Sequence, residues 1–242
     1  MRIAIIGYGK MGKAIEAIAK EKGHEIIILN GSEPPDFLQN NSADVAIEFT
    51  GPESAAENIR MCILAGIPVV CGTTGWLSQK KSVEEFCKFH QGSFFYASNF
   101  SLGVNLLFRL NSFLAKLLAG KEDYQPSITE IHHTQKKDAP SGTAITLAEG
   151  IIDGNPHFTG WSVKPGSENS FENEKTGTIP IFSERTDPFP GKHTVRYTCE
   201  EDEISITHEA FSRKGFASGA LAVAEWLPGR IGVFGMDDFL KV

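Results

Sequence analysis

Three glycines, Gly7, Gly9 and Gly12, lie between an apolar run and an amphipathic one, and this placement restricts the fold more than any other feature of the chain. Residues 2–6 (RIAII) read as a buried strand. Residues 10–22 read as a helix with Met11, Ala14, Ile15, Ile18 and Ala19 on one face, ended by Gly23. Residues 24–29 (HEIIIL) read as a second strand. Together they span about thirty residues, the length a β-α-β unit needs. In such a unit the first glycine allows a tight turn. The second lets the backbone approach a pyrophosphate, and the third lets the helix pack closely on the strand. The spacing alone is weak; its position between strand and helix gives it weight.

The following segments repeat the alternation. Residues 30–43 are polar, contain Pro34-Pro35 and read as a loop with one helical turn around Asp36–Gln39. Val45–Phe49 is a third strand, Pro52–Ala65 a helix closed by Gly66, and Ile67–Cys71 a fourth strand. Ser78–His90 is a helix and Ser93–Ala97 a fifth strand. Apolar strands alternating with helices predict a parallel sheet covered on both faces. The pattern changes near residue 100. Gly103–Ala119 reads as a long apolar helix, Ser127–Thr134 as a strand and Ser141–Ile152 as a helix. Residues 153–177 read as a long irregular loop, a candidate lid or interface segment. Thr178–Arg185, Lys192–Cys199 and Glu203–Phe211 read as three antiparallel neighbours, and Phe216–Leu227 as the final helix. The expected architecture is α/β. A Rossmann-type doubly wound parallel sheet takes residues 1–100 and 213–242, and a second, α+β domain (residues 101–212) is inserted before the last helix.

Composition narrows the function. A net charge of −7 over 242 residues argues against non-specific nucleic-acid binding. Cys62, Cys71, Cys87 and Cys199 form no C-x-x-C and have no nearby second ligand, so reduced packing thiols are expected and no metal site. The apolar run at Ile3–Ile6 is too short for a signal peptide, and no stretch has the length of a membrane span. A cytoplasmic enzyme is expected.

Two further signals lie downstream. Thr50-Gly51-Pro52, Gly72-Thr73-Thr74-Gly75 and Asn99-Phe100-Ser101 follow the third, fourth and fifth strands, on the sheet edge where such folds bind ligands. Asn30 stands where an NAD-preferring fold usually carries an acid, and an uncharged pocket does not repel a 2′-phosphate. Lys10 and Lys13 are near enough to meet one, or they are a solvated helix face. NADPH, or use of both coenzymes, is therefore expected. The second signal is residues 132–143 (HHTQKKDAPSGT). It puts His132, His133 and Lys136 just before a helix start, whose unpaired N–H groups suit an anion. A His and a Lys there can supply protons. Adjacent strand residues point to opposite faces, so one of the two histidines faces the cleft. Asp138 is either a partner that orients Lys136 or a turn residue.

These strings, with Glu48-Phe49-Thr50, Asn99–Asn105, Gly191-x-His193-Thr194-Val195 and Thr207-His208, resemble the 4-hydroxy-tetrahydrodipicolinate reductase (dihydrodipicolinate reductase) family from end to end. The resemblance implies reduction of 4-hydroxy-tetrahydrodipicolinate to tetrahydrodipicolinate by hydride from NAD(P)H, in lysine and diaminopimelate biosynthesis. It implies His132 and Lys136 as catalytic and His133, Gly142 and Thr143 as substrate-binding. It implies cofactor contacts from Gly7, Tyr8, Gly9, Lys10, Met11, Gly12, Asn30, Gly72, Thr73, Thr74, Ala97, Ser98, Asn99 and Phe100, with Arg213 and Phe216 as further candidates. The substrate is a small dicarboxylate heterocycle, and the second domain would build a homotetramer. Glu48 stands where the family more often has Asp. Two rivals remain: a non-catalytic NAD(P) sensor, and another nicotinamide-dependent amino-acid or semialdehyde dehydrogenase using a thiol such as Cys71.

Overall fold

The structure is a computed structural model that describes residues 1–29, 38, 42–164, 177–212 and 214–241. Its contacts divide the chain into two compact units, Met1–Leu102 with Lys214–Val242, and Gly103–Arg213.

The first unit begins with β1 (Arg2–Ile6), α1 (Lys10–Glu21), β2 (Glu25–Leu29) and β3 (Val45–Glu48). It continues with α2 (Ala55–Leu64), β4 (Val69–Cys71), α3 (Lys80–Phe89) and β5 (Ser93–Tyr96). Every described pairing in its sheet is parallel. Both faces are apolar because successive strand residues alternate between them. Ile3 and Ile5 pack with Ile15 and Ala19 on one face, and Ala4 and Ile6 with Ile59 and Ile63 on the other. The doubly wound sheet is thus the one expected. Gly23 (φ +80°) and Gly66 (φ +70°) stand just past the ends of α1 and α2, in the left-handed conformation that closes a helix. α2 begins three residues later than its apolar pattern suggests, and a 3-10 turn at Leu77–Gln79 precedes α3. The turn expected near Asp36–Gln39 lies outside the described residues except for Leu38, which is buried in the core.

The second unit is built from α4 (Leu102–Leu117), β6 (Gln125–His132), α5 (Gly142–Gly154), β7 (Gly160–Lys164), β8 (Thr178–Arg185), β9 (Gly191–Thr198) and β10 (Glu203–Ala210). Its core joins Leu107 and Ala115 of α4, Leu147 and Ile151 of α5, and Ile128, Ile181, Val195 and Tyr197 of the sheet. Asn111 of α4 is fully buried; its Nδ2 donates to the Leu147 carbonyl at 2.8 Å and its Oδ1 accepts from Tyr197 Oη at 3.4 Å. Two expectations are corrected here. The stretch 153–177 is not one irregular loop, because β7 lies inside it and pairs in parallel with β8; residues 165–176 of it lie outside the described residues. Nor are the last three strands of this unit successive neighbours. The order is β10-β9-β6-β8-β7, so β6 separates β8 from β9 and runs parallel to β8.

The chain then returns to the first unit as α6 (Lys214–Trp226), β11 (Gly232–Phe234) and α7 (Met236–Phe239). α6 is therefore not the last element. β11 adds a sixth strand beside β5, giving the order β11-β5-β4-β3-β1-β2.

Candidate active site

In the first unit the chain reverses its direction across the sheet between β1 and β3. That switch point is where such sheets bind ligands. Gly7 sits there at φ +94°, and any Cβ on it would overlap the Phe49 carbonyl. A Cβ on Gly12 would overlap the Gly7 carbonyl, so this glycine sets how closely α1 lies on β1. Gly9 caps α1 without a side-chain bond, and nothing lies within 4 Å of the Cβ position it leaves empty. The start of α1 therefore has no side-chain cap, and the space beside Gly9 is open. Residues 7–12 fit a dinucleotide pyrophosphate on that ground.

Tyr8 is turned back along α1. Its hydroxyl bonds Glu16, and Lys13 Nζ lies 5.6 Å from its ring centre. Lys10 is exposed. Along the same sheet edge, Thr50 N–H donates to Thr73 Oγ1 at 2.9 Å, joining the loops after β3 and β4. A Cβ on Gly72 would overlap the Phe49 ring, which stacks on Phe100 at 5.8 Å. Trp76 Nε1 donates to the Thr73 carbonyl at 2.8 Å, and Ser101 N–H to Asn99 Oδ1 at 2.8 Å. Thr74 and Ser98 are exposed beside these, and Ala97 is buried. Phe216 is half-buried in the first turn of α6; Asn30 and Arg213 lie outside the described residues.

Cys71 ends β4 beneath this edge. Its thiol donates to Glu48 Oε2 at 3.0 Å. Burial first, and then the Glu48 carboxylate, push that thiol far up. A thiol so placed is no nucleophile, since the thiolate is the reactive form.

The residues of the HHTQKKDAPSGT string lie in the second unit, where sheet register assembles the site. Glu130 and His132 are two apart on β6 and therefore share a face. Glu130 is opposite Ser183 on β8 and His193 on β9, and His132 is opposite Arg185. The fully buried Glu130 accepts from Ser141 N–H at 3.1 Å and from Arg185 Nη2 at 2.9 Å, both at Oε1. Its Oε2 lies 2.8 Å from His132 Nδ1. Burial alone would raise this carboxyl; the His132, Ser141, Arg185 and Ser183 contacts outweigh it and hold the group well below the usual carboxylate range. Glu130, Arg185 and His193 are absent from the residues the sequence singles out for a role.

Ser141 caps α5. Its Oγ accepts from Ala144 N–H at 3.2 Å and lies 3.1 Å from His193 Nε2. The N–H groups of Gly142 and Thr143 therefore remain as the helix's donors without an intrahelical acceptor. Pro140 precedes the cap, outside the helix, and follows a cis bond. Lys136 Nζ reaches Asp138 Oδ2 at 2.8 Å and Oδ1 at 2.9 Å, and Arg185 Nη2 donates to the Asp138 carbonyl at 2.5 Å. Asp138 thus partners Lys136. His133 follows the last residue of β6 and is half-buried. His193 is buried, and burial first, then His132, lower it to about 3, so it is neutral.

Glu130, His132 and His193 are the one group among the described residues that could hold a metal ion. A separation of 2.8 Å between Glu130 Oε2 and His132 Nδ1 is that of a proton-sharing pair. Two donors at about 2 Å from a tetrahedral ion stand about 3.3 Å apart. The cluster fits shared protons better than a metal.

Comparison with known proteins gives one picture. The family model described as dihydrodipicolinate reductase, N-terminus, matches residues 1–100, and the one described as its C-terminus matches residues 103–240. A 4-hydroxy-tetrahydrodipicolinate reductase of Christiangramia forsetii is 46% identical over 242 residues, covering 100% of this chain and 98% of the relative. One of Methanosarcina mazei is 34% identical over 240 residues, covering 98% and 88%. Among solved structures, a dipicolinate-bound dihydrodipicolinate reductase from Paenisporosarcina sp. TG-14 shares the fold, with a TM-score of 0.76, 24% identity and 99% coverage of each chain.

Proposed function

From the premise that this chain belongs to the dihydrodipicolinate reductase family, we propose a role for each residue of its site. The reaction is the reduction of 4-hydroxy-tetrahydrodipicolinate in lysine and diaminopimelate biosynthesis, and the family uses NAD(P)H. Bound at residues 7–12, 72–74 and 97–100, the reduced nicotinamide supplies the hydride. The N–H groups of Gly142 and Thr143 hold one substrate carboxylate, and His133 lies alongside. Lys136 donates the proton that balances the hydride, the 4-hydroxyl leaves as water in the overall reaction, and His132 is the second acid or the relay.

The observation that carries this reading is the contact chain from His132 through Glu130 to the Ser141 cap, with Arg185 tying in the Lys136–Asp138 turn. It gathers two acids and an anion-binding helix start in one rigid corner. The protonated, Glu48-bonded Cys71 counts against a semialdehyde dehydrogenase. Proton donation contributes about 10²–10⁴-fold. Lys136→Ala and His132→Ala should each lower kcat by that order with the thermal midpoint unchanged, in an absorbance assay at the NADPH band. Near-normal turnover in both variants returns the chain to the sensor reading.

Coenzyme choice follows from charge. The exposed Lys10 and Lys13 favour a 2′-phosphate, and Lys13 is partly engaged by Tyr8. Both coenzymes serve, NADPH the better. Parallel titration with the two, repeated on Lys10→Ala, tests this: a preference that does not move assigns the selectivity elsewhere. The resemblance supports a homotetramer built through the second unit, measurable by sedimentation. No described helix is long and apolar enough to cross a membrane, and the described cysteines are free thiols, in keeping with a cytoplasmic enzyme.

A further inference from the structure

We propose that Glu130 is a positioning residue for the acid–base pair: one carboxylate oxygen fixes the tautomer and orientation of His132, while the other holds the N-terminus of α5 and Arg185 in the same frame. This rests on the reading that His132 moves a proton.

The two oxygens of Glu130 have separate duties. Oε1 is occupied by Ser141 N–H and Arg185 Nη2. Oε2 lies 2.8 Å from His132 Nδ1 and 3.9 Å from His193 Nε2, with Ser183 opposite on β8, and Nδ1 in turn has no other partner among the described residues. The approach is oblique, so the atoms are at contact distance without full alignment. Nδ1 is buried, and the carboxylate is the acceptor at contact distance from it, so the two share a proton. A carboxylate accepts, so Nδ1 must be the protonated nitrogen and Nε2 the one left for chemistry.

The ring has little freedom to do otherwise. Gly191 opens β9 on its far side, where a Cβ would stand 3.1 Å from Nε2 and 3.3 Å from Cδ2. His193 packs edge-on at 5.0 Å, and its own Nε2 is engaged with Ser141 Oγ. Charged or titratable groups stand around the ring on the strands packed against β6 and beyond. Glu130 is ionised, on the same strand. Arg185 is charged, from β8. His193 is neutral, from β9, and His208 of β10 lies behind it, lowered by burial. Lys136 and Asp138 neutralise each other in the turn that follows. The carboxylate is thus the group in contact with Nδ1. In turnover the proton leaves Nε2, Nδ1–H stays on Glu130, and solvent restores the charge.

The same residue ties the end of β6 to the start of α5. His132 and the α5 N-terminus are nine residues apart along the chain (141 − 132), yet both are referenced to one carboxylate. Movement of either would be passed to the other through Glu130.

Glu130→Gln is the informative variant. Its amide oxygen can still accept from Ser141 and Arg185. Its NH₂ group would face Nδ1 and force the opposite tautomer. We expect kcat to fall tenfold or more, toward the ~10⁴-fold loss that follows when an orienting carboxylate becomes its amide. KM should move less than about threefold. Glu130→Asp, which keeps the charge, should recover part of the rate. Nitrogen-15 spectra of the His132 ring should report Nδ1–H in the wild type and Nε2–H in Glu130→Gln. An Nε2–H tautomer in the wild-type protein overturns the proposal whether or not the variant folds. So does a slowed Glu130→Gln enzyme whose His132 tautomer is unchanged. Wild-type turnover by His132→Gln would remove the parent reading instead, and this proposal with it.

Discussion

His193 is neutral because the sheet buries it, and that gives it a pH signature. In the unfolded chain its ring takes up a proton near pH 6.5; in the folded chain it does so only near 3. Between those values the unfolded state binds the extra proton, so acid favours unfolding. The contribution is whole above 6.5 and is lost as the pH falls toward 3. His208 acts with the same sign, and Glu130, held low, joins only below the ordinary carboxylate range. His193→Gln keeps a group able to bond Ser141 Oγ and removes the titration. Urea midpoints at about pH 7.5 and about pH 5 should therefore differ less in the variant, by up to about 2 kcal/mol. An equal difference in both proteins would mean that His193 is protonated in the fold. The same cluster marks the limit of reading by sequence at this scale. His132, Lys136 and the Ser141 cap are legible because one short string carries them. Glu130, Arg185 and His193 come from three strands, and only the register of β6 with β8 and β9 makes them neighbours.

At the scale of elements, local chemistry proved readable and long-range pairing did not. The glycine turn works by contacts within a few residues or with the adjacent strand end, so its placement was plain from the chain. β7 was not, because as an edge strand it exposes alternate residues, Trp161 and Val163 among them, and lacks a buried apolar run. β11 has three residues and makes sense only beside β5. Parallel pairing of β6 with β8 spans an intervening helix and β7, and nothing local announces it. One glycine shows how an element and a loop depend on each other. Gly219, inside α6, lies where a Cβ would overlap the Phe100 carbonyl. Gly219→Ala should drive the Asn99–Phe100 loop off the helix, costing about 1–3 kcal/mol as overpacked cores do. Because Phe100 also stacks on Phe49, coenzyme affinity should fall with it. Unchanged thermal midpoint and coenzyme Kd would show that α6 can yield.

At the scale of the molecule, the two units have separate cores. The buried cluster of the second unit draws every member from residues 107–197, and the clusters of the first draw none from that span. The family models divide at nearly the same point, between residues 100 and 103. A unit with its own core melts on its own terms unless its neighbour is coupled to it. A ligand stabilises the unit that binds it by RT ln(1 + [L]/Kd), about 2.7 kcal/mol at a hundredfold excess over Kd. The proposed assignments put the coenzyme on residues 7–12, 72–74 and 97–100 of the first unit, and the dicarboxylate on Gly142 and Thr143 of the second. Scanning calorimetry with NADPH alone and with dipicolinate alone should therefore raise different transitions, each leaving the other nearly in place. The variants sharpen the result. Gly219→Ala should lower only the NADPH-sensitive transition, and His193→Gln only the dipicolinate-sensitive one. A single transition raised equally by either ligand, and lowered equally by either substitution, would mean that the units fold as one cooperative body despite their separate cores.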